Sequence, residues 1–162
     1  MTKLIEPQRR RERGEGAERR KIIRVSIFGV SLRLCGSIVF REVRVERYVV
    51  GRVEEIPPGG RKIVRVVGRG EIGVFNVDGA FFALKNTCAH QGARVCLGKI
   101  VGTALPSDVY EYRYGLEGRI LRCPWHEWEY DITTGQSIFD PSVRVLSYPV
   151  EVVDGDVTVL FS

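Results

Sequence analysis

Two short segments, Cys88-Ala89-His90 and Cys123-Pro124-Trp125-His126, constrain this chain more than any other feature. A C-x-H and a C-x-x-H together supply two thiols and two imidazoles, a donor set that can hold a metal centre. His90 and His126 are the only two histidines among 162 residues, so any chemistry that needs imidazole passes through this site. Thiolates are soft ligands suited to zinc and iron–sulfur clusters, and imidazole suits zinc, copper and iron. Four such ligands could close a tetrahedral zinc site. They could equally hold a two-iron, two-sulfide cluster, with the cysteines on one iron and the histidines on the other. The spacings alone leave both open.

The rest of the chain reads as an antiparallel all-β protein. Tyr48 to Val53 has strand character and ends in the turn cluster Glu55-Ile56-Pro57-Pro58-Gly59-Gly60. Lys62–Val67 and Glu71–Val77 follow, rich in valine and isoleucine. Asp78-Gly79 and Asp154-Gly155 each sit between two apolar runs, the signature of a two-residue hairpin. Arg119–Arg122 leads into the second Cys/His segment and Trp128–Asp131 leads out of it. No long helical period is present. Short strands with Gly/Pro turns argue an antiparallel all-β domain.

The flanks of the two segments narrow the metal. His90 is followed by Gln91-Gly92-Ala93, and His126 by Glu127-Trp128-Glu129-Tyr130-Asp131 and then Gly135. These segments resemble the cluster-binding loops of the Rieske iron–sulfur family, C-x-H-x-G and C-P-W-H-G-W-x-[FY]-D-x-x-x-G. The resemblance implies one 2Fe–2S cluster, with Cys88 and Cys123 on the inner iron and His90 and His126 on the outer one. It implies a β-sandwich with a small inserted cluster-binding subdomain. Gln91, Gly92, Trp125, Trp128 and Tyr130 fall around the cluster by the same resemblance, and Pro141 lies in a third loop that covers it.

Three departures from that pattern stand out. Glu127 replaces the usual glycine and adds a carboxylate beside His126. The gap between His90 and Cys123 holds 32 residues, about twice the family's usual length, with an insertion at about 97–118. Within it Tyr110, Tyr112 and Tyr114 alternate with Glu111 and Arg113, as in an extended hairpin that packs its tyrosines on the domain; a redox-partner docking surface is the other reading. Ala93 and Trp125 fill the places where respiratory Rieske subunits carry an extra disulfide.

Charge and composition add limits. The net charge of +5 comes from residues 1–24, which hold nine Lys/Arg and four Glu; the remainder is balanced at 16 of each sign. The basic character therefore belongs to the tail and implies no nucleic-acid face. Residues 1–44 read as an N-terminal extension, either disordered in its arginine-rich part or placed there by a start assigned too early, and 45–162 as the cluster domain. The apolar stretch 22–40 is interrupted by Arg24 and Arg33, which a bilayer core would penalise, so no membrane partner is expected. Arg19-Arg20-Lys21 before it partly resembles a twin-arginine export signal, but no A-x-A-like cleavage site follows. Cys35 and Cys96 remain outside the motif and are expected as free buried thiols in a reducing cytoplasm.

The functional expectation follows from ligand count. A Rieske oxygenase subunit needs a second iron site, typically two more histidines and a carboxylate, and this chain has none to spare. What the resemblance implies is a Rieske-type ferredoxin, an electron-transfer component rather than a catalytic subunit. Its partners would be a flavin-dependent or ferredoxin reductase and a terminal oxygenase. A respiratory-type Rieske subunit and the small subunit of a nitrite-reductase-like enzyme are the alternatives.

Overall fold

The computed structural model describes residues 22–27, 31–34, 37–40 and 43–162, with side chains from residue 45 onward. Cys35 and the arginine-rich segment 1–21 lie outside the described residues. The strands are β1 Ile22–Ile27, β2 Ser31–Leu34, β3 Ser37–Phe40, β4 Val43–Arg52, β5 Arg61–Val66, β6 Gly70–Val77, β7 Ala80–Lys85, β8 Lys99–Leu105, β9 Arg113–Arg122, β10 Glu129–Asp131, β11 Ser147–Tyr148, β12 Val150–Val153 and β13 Asp156–Phe161. Every strand pairing is antiparallel, and the other regular elements are single 3-10 turns at Val53–Glu55 and Val95–Leu97. β4 begins at Val43, so the expected domain start at 45 falls inside a strand.

The hairpin signals act as their chemistry requires. Asp78 and Gly79 both take positive φ (51° and 90°) between β6 and β7, as do Asp154 and Gly155 (52° and 81°) between β12 and β13. Two consecutive left-handed residues make a turn whose twist matches that of the strands it joins. Gly79 N–H also donates to Asn76 Oδ1 at 2.8 Å.

Three sheets build the domain, in the orders β1-β4-β13-β12, β11-β7-β6-β5 and β10-β9-β8, with a separate β2–β3 ribbon. The middle sheet is covered on both faces, which explains the consecutive burial of Ile72 to Asn76 in β6. On one side Ile72 and Val74 meet Val50, Val157, Val159 and Phe161 to form the sandwich core. On the other, Phe75 and Leu84 meet Leu121, Tyr130, Ile132 and both motif cysteines. Alternate β6 residues therefore support the sandwich and the metal site in turn. Burial of each large apolar side chain in these layers contributes about 1.5–3 kcal/mol.

The insertion at 97–118 is the β8–β9 hairpin. Its ladder runs Lys99↔Arg122 to Val101↔Ile120, then shifts so that Thr103 faces Gly115. The extra β9 residues are accommodated where Leu116 and Gly118 take positive φ (55° and 73°). The expectation that its tyrosines pack on the domain is corrected here. Tyr110 and Tyr112 are 104% and 78% exposed at the tip, and Tyr114 stays within the hairpin, accepting Gly102 N–H at its hydroxyl (2.9 Å). The tip extends past the surface the domain offers, so alternation cannot turn those rings onto a core.

Candidate metal centre

Two loops converge at one end of the β10-β9-β8 sheet. The first follows β7. Cys88 N–H donates to Ala93 O at 2.8 Å and Gly92 N–H donates to Cys88 O at 2.9 Å, so the chain closes on itself and turns Ala89, His90 and Gln91 outward. Gly92 has φ 75°, which suits a glycine. The second loop joins β9 to β10. Cys123 N–H donates to Trp128 O (2.8 Å) and Glu127 N–H to Cys123 O (3.1 Å). Glu127 occupies φ 57°. The loop keeps a shape that glycine would adopt freely, and the glutamate bears the backbone cost.

A third loop lies beside them. Gly135, at φ 76°, leaves so little space that a Cβ would sit 2.4 Å from Val145 O. Ile138 N–H donates to Glu129 O at 2.9 Å, which ties the third loop to the second. Ile138 and Phe139 join His126, Glu127, Trp128, Glu129 and Ser137 around an open cleft of about 640 Å³. Pro141, expected to cover the site, is exposed in this loop and is not among the residues lining that cleft.

The four motif side chains sort into two pairs. Cys88 and Cys123 are buried, only 3% and 2% exposed, in one core layer, and Cys88 helps push the Cys123 thiol up. His90 and His126 are exposed, with ring centroids 4.9 Å apart at 79°. Trp128 stacks on His90 (4.8 Å, 12°), and Trp125 meets His126 edge-on (6.3 Å, 86°). Trp128 is half-buried, Trp125 is exposed and Gln91 is exposed at the first loop's tip.

The environment of the sulfurs suits anionic ligands. Burial pushes the Cys123 thiol up, while the amides of Trp125 and His126 aimed at its sulfur pull the other way. Such donors favour a thiolate once a cation replaces the proton. Tyr130 is fully buried, with its hydroxyl 3.2 Å from Cys88 Sγ. Burial and the Cys88 sulfur push that hydroxyl up, so it stays protonated and can donate to a Cys88 thiolate. Cys96, by contrast, is a free, buried thiol pushed up to about 12 by burial, as expected of a structural cysteine.

This donor set fits a two-iron centre. Two thiols and two imidazoles are the donor types that mixed ligation of a 2Fe–2S cluster calls for, one buried pair and one exposed pair.

The carboxylates around the second loop were only partly legible. Glu127 and Glu129 both add negative charge beside the cluster loop by sequence, but Glu129 is tied into an ion pair. Arg122 donates to Glu129 Oε1 through Nε (3.1 Å) and Nη2 (2.6 Å), and Thr103 Oγ1 donates to Glu129 Oε2 at 2.6 Å. Arg119 pairs likewise with Asp131, Nε to Oδ1 at 3.0 Å and Nη2 to Oδ2 at 2.6 Å. Each arginine lies close to its carboxylate across the β9–β10 ladder, a pairing that needs the register and cannot be read from spacing alone.

An antiparallel β-sandwich that brings a buried pair of cysteines and an exposed pair of histidines together in two adjoining loops is the architecture of a small iron–sulfur protein. Residues 46–149 match the Rieske [2Fe-2S] domain; the chain belongs to the Rieske family and carries one 2Fe–2S cluster. It is 32% identical over 101 residues to the ferredoxin component of the naphthalene 1,2-dioxygenase/salicylate 5-hydroxylase systems of Ralstonia sp, covering 62% of this chain and 81% of that one. It is 30% identical over 111 residues to the 3-phenylpropionate/cinnamic acid dioxygenase ferredoxin subunit of Photorhabdus laumondii, covering 68% and 90%. Among solved structures it is similar to the Sphingomonas yanoikuyae B1 ferredoxin, with a TM-score of 0.55, 26% identity and 72% and 99% coverage.

Proposed function

We propose that this chain is a one-electron carrier that takes electrons from a flavin-dependent or ferredoxin reductase and passes them to a terminal non-haem iron oxygenase. Cys88 and Cys123 hold the inner iron, and His90 and His126 the outer one. A bound 2Fe–2S cluster supplies reversible one-electron redox chemistry. The protein's residues do the rest. The cysteines and Tyr130 bury one side, and the two imidazoles leave the other side open to a partner. The observation that carries this reading is that the two loops bury Cys88 and Cys123 while leaving His90 and His126 exposed with their rings 4.9 Å apart. The ferredoxin components among its relatives support the choice of partner. With no further histidine in the chain, an oxygen-activating site must be supplied by that partner.

The buried free thiol of Cys96 suits a reducing compartment, and we place the carrier in the cytoplasm. Among the described residues no helix is long and apolar enough to cross a membrane. The test is a reconstituted chain of NADH, a flavin-dependent reductase, this protein and the terminal oxygenase of a naphthalene 1,2-dioxygenase system. The protein should be reduced by one electron per chain and reoxidised only when oxygenase and aromatic substrate are present. A reduced protein that no such oxygenase reoxidises would contradict the reading.

A further inference from the structure

Arg122 immediately precedes Cys123, and Glu129 immediately follows Trp128, so the two residues stand at the neck of the second loop. They are opposed in the β9–β10 ladder, Glu129↔Arg122. Arg122 makes both of its contacts, Nε at 3.1 Å and Nη2 at 2.6 Å, to one oxygen, Glu129 Oε1. The other oxygen, Oε2, accepts from Thr103 on β8 at 2.6 Å. Both carboxylate oxygens are therefore engaged, and the side chains of Arg122 and Glu129 are only 33% and 22% exposed. Glu129 lines the same cleft as His126. Arg122 also feels the charge of Glu127 on the loop itself.

We propose that Arg122 is a positioning residue for the redox centre: paired with Glu129 at the neck of the second loop, it cancels a carboxylate that would otherwise oppose addition of an electron, while Thr103 draws the inserted hairpin into the same network. The inference rests on the carrier reading above, with the centre at Cys88, His90, Cys123 and His126. The physics is Coulombic. An added electron is stabilised by nearby positive charge and destabilised by nearby negative charge, more strongly in a partly buried site than in water. An intact ion pair acts at a distance almost as a dipole. Removing one member leaves the other as a bare charge.

The consequence is a difference in sign. Arg122→Gln leaves Glu129 uncompensated and should lower the reduction potential. Glu129→Gln leaves Arg122 uncompensated and should raise it. The double variant restores neutrality and should return close to wild type. A neck that merely braced the loop would behave otherwise. Loosening it from either side would admit water to the same sulfurs and shift both single variants in the same direction.

The experiment is voltammetry of the purified holoprotein and the three variants, with electron paramagnetic resonance of each reduced form to show that ligation is unchanged. Shifts of opposite sign, near-cancellation in the double variant and smaller shifts at high salt are expected. Arg122→Lys keeps the charge without the fork and should hold the potential near wild type. It also serves if Arg122→Gln fails to assemble a cluster, because a downward shift in Arg122→Lys equal in sense to one in Glu129→Gln would overturn the proposal. Same-sign shifts, or none in either single variant, would overturn it as well. Failure of the carrier reading looks different, since the potentials would then shift as expected while neither reductase nor oxygenase exchanged electrons with the protein.

Discussion

Replacing Tyr130 by phenylalanine removes one hydroxyl and little else. The ring is 0% exposed and packs in the layer that holds both motif cysteines, so its place is retained. The hydroxyl lies 3.2 Å from Cys88 Sγ. Because burial and that sulfur keep it protonated, it is the donor to a thiolate. Reduction makes the sulfur more negative and strengthens the bond, so losing it disfavours the reduced state and lowers the potential. A net hydrogen bond is worth about 0.5–1.5 kcal/mol. At 59 mV per tenfold change for one electron, that is about 20–65 mV. The upper half of this interval is expected, because a fully buried position gives water no route to replace the hydroxyl. Protein-film voltammetry of wild type and Tyr130→Phe measures it, with unchanged resonance g-values as the control for intact ligation. An unchanged or raised potential would refute the reasoning. The wild-type value itself should lie in the lower half of the roughly −150 to +300 mV span of such centres, because Glu127 adds negative charge beside His126.

Glu127→Gly should stabilise the protein by about 0.5–1 kcal/mol, because it relieves a left-handed residue at φ 57°, and should also raise the potential by removing a carboxylate; denaturant melts and voltammetry read the two effects. Asp131→Asn should cost about 1–2 kcal/mol at neutral pH, at the low end of charged hydrogen bonds because Arg119 is 39% exposed. Burial raises the Asp131 carboxyl, but the bonds from Arg119 and Thr133 outweigh it and hold the group below its usual range. With the folded value depressed, this stability is present above the unfolded value of about 3.9 and is lost as pH falls through the lower folded value. The gap between wild type and variant in denaturant melts should therefore close below about pH 4. A gap independent of pH would assign the loss to packing.

The parts of this protein legible in its sequence were those encoded by neighbouring residues. Asp78-Gly79 and Asp154-Gly155 mark their hairpins because left-handed backbone is a local property. The two Cys/His segments were readable for the same reason, since each is a short loop with its ligands in fixed order. What depends on register was not. The Arg122–Glu129–Thr103 network joins three strands and appears only once β9 is aligned with both β8 and β10. The exposure of Tyr110 and Tyr112 depends on how far the inserted hairpin projects, which alternation within it cannot report. Glu127 was legible as a departure from glycine, yet its accommodation in a left-handed conformation became evident only in the folded loop. β1 carries Ile23, Val25 and Ile27 at alternate positions and pairs with β4 at the edge of its sheet.

The central claim is that one two-iron cluster is held by Cys88, Cys123, His90 and His126. With only two histidines in the chain, nitrogen-15 labelling of histidine gives a direct test. Electron–nuclear double resonance on the dithionite-reduced, labelled protein should show couplings from two inequivalent nitrogens, and each of His90→Cys and His126→Cys should remove one of them. Iron with no histidine coupling, or zinc without acid-labile sulfide, would contradict the account.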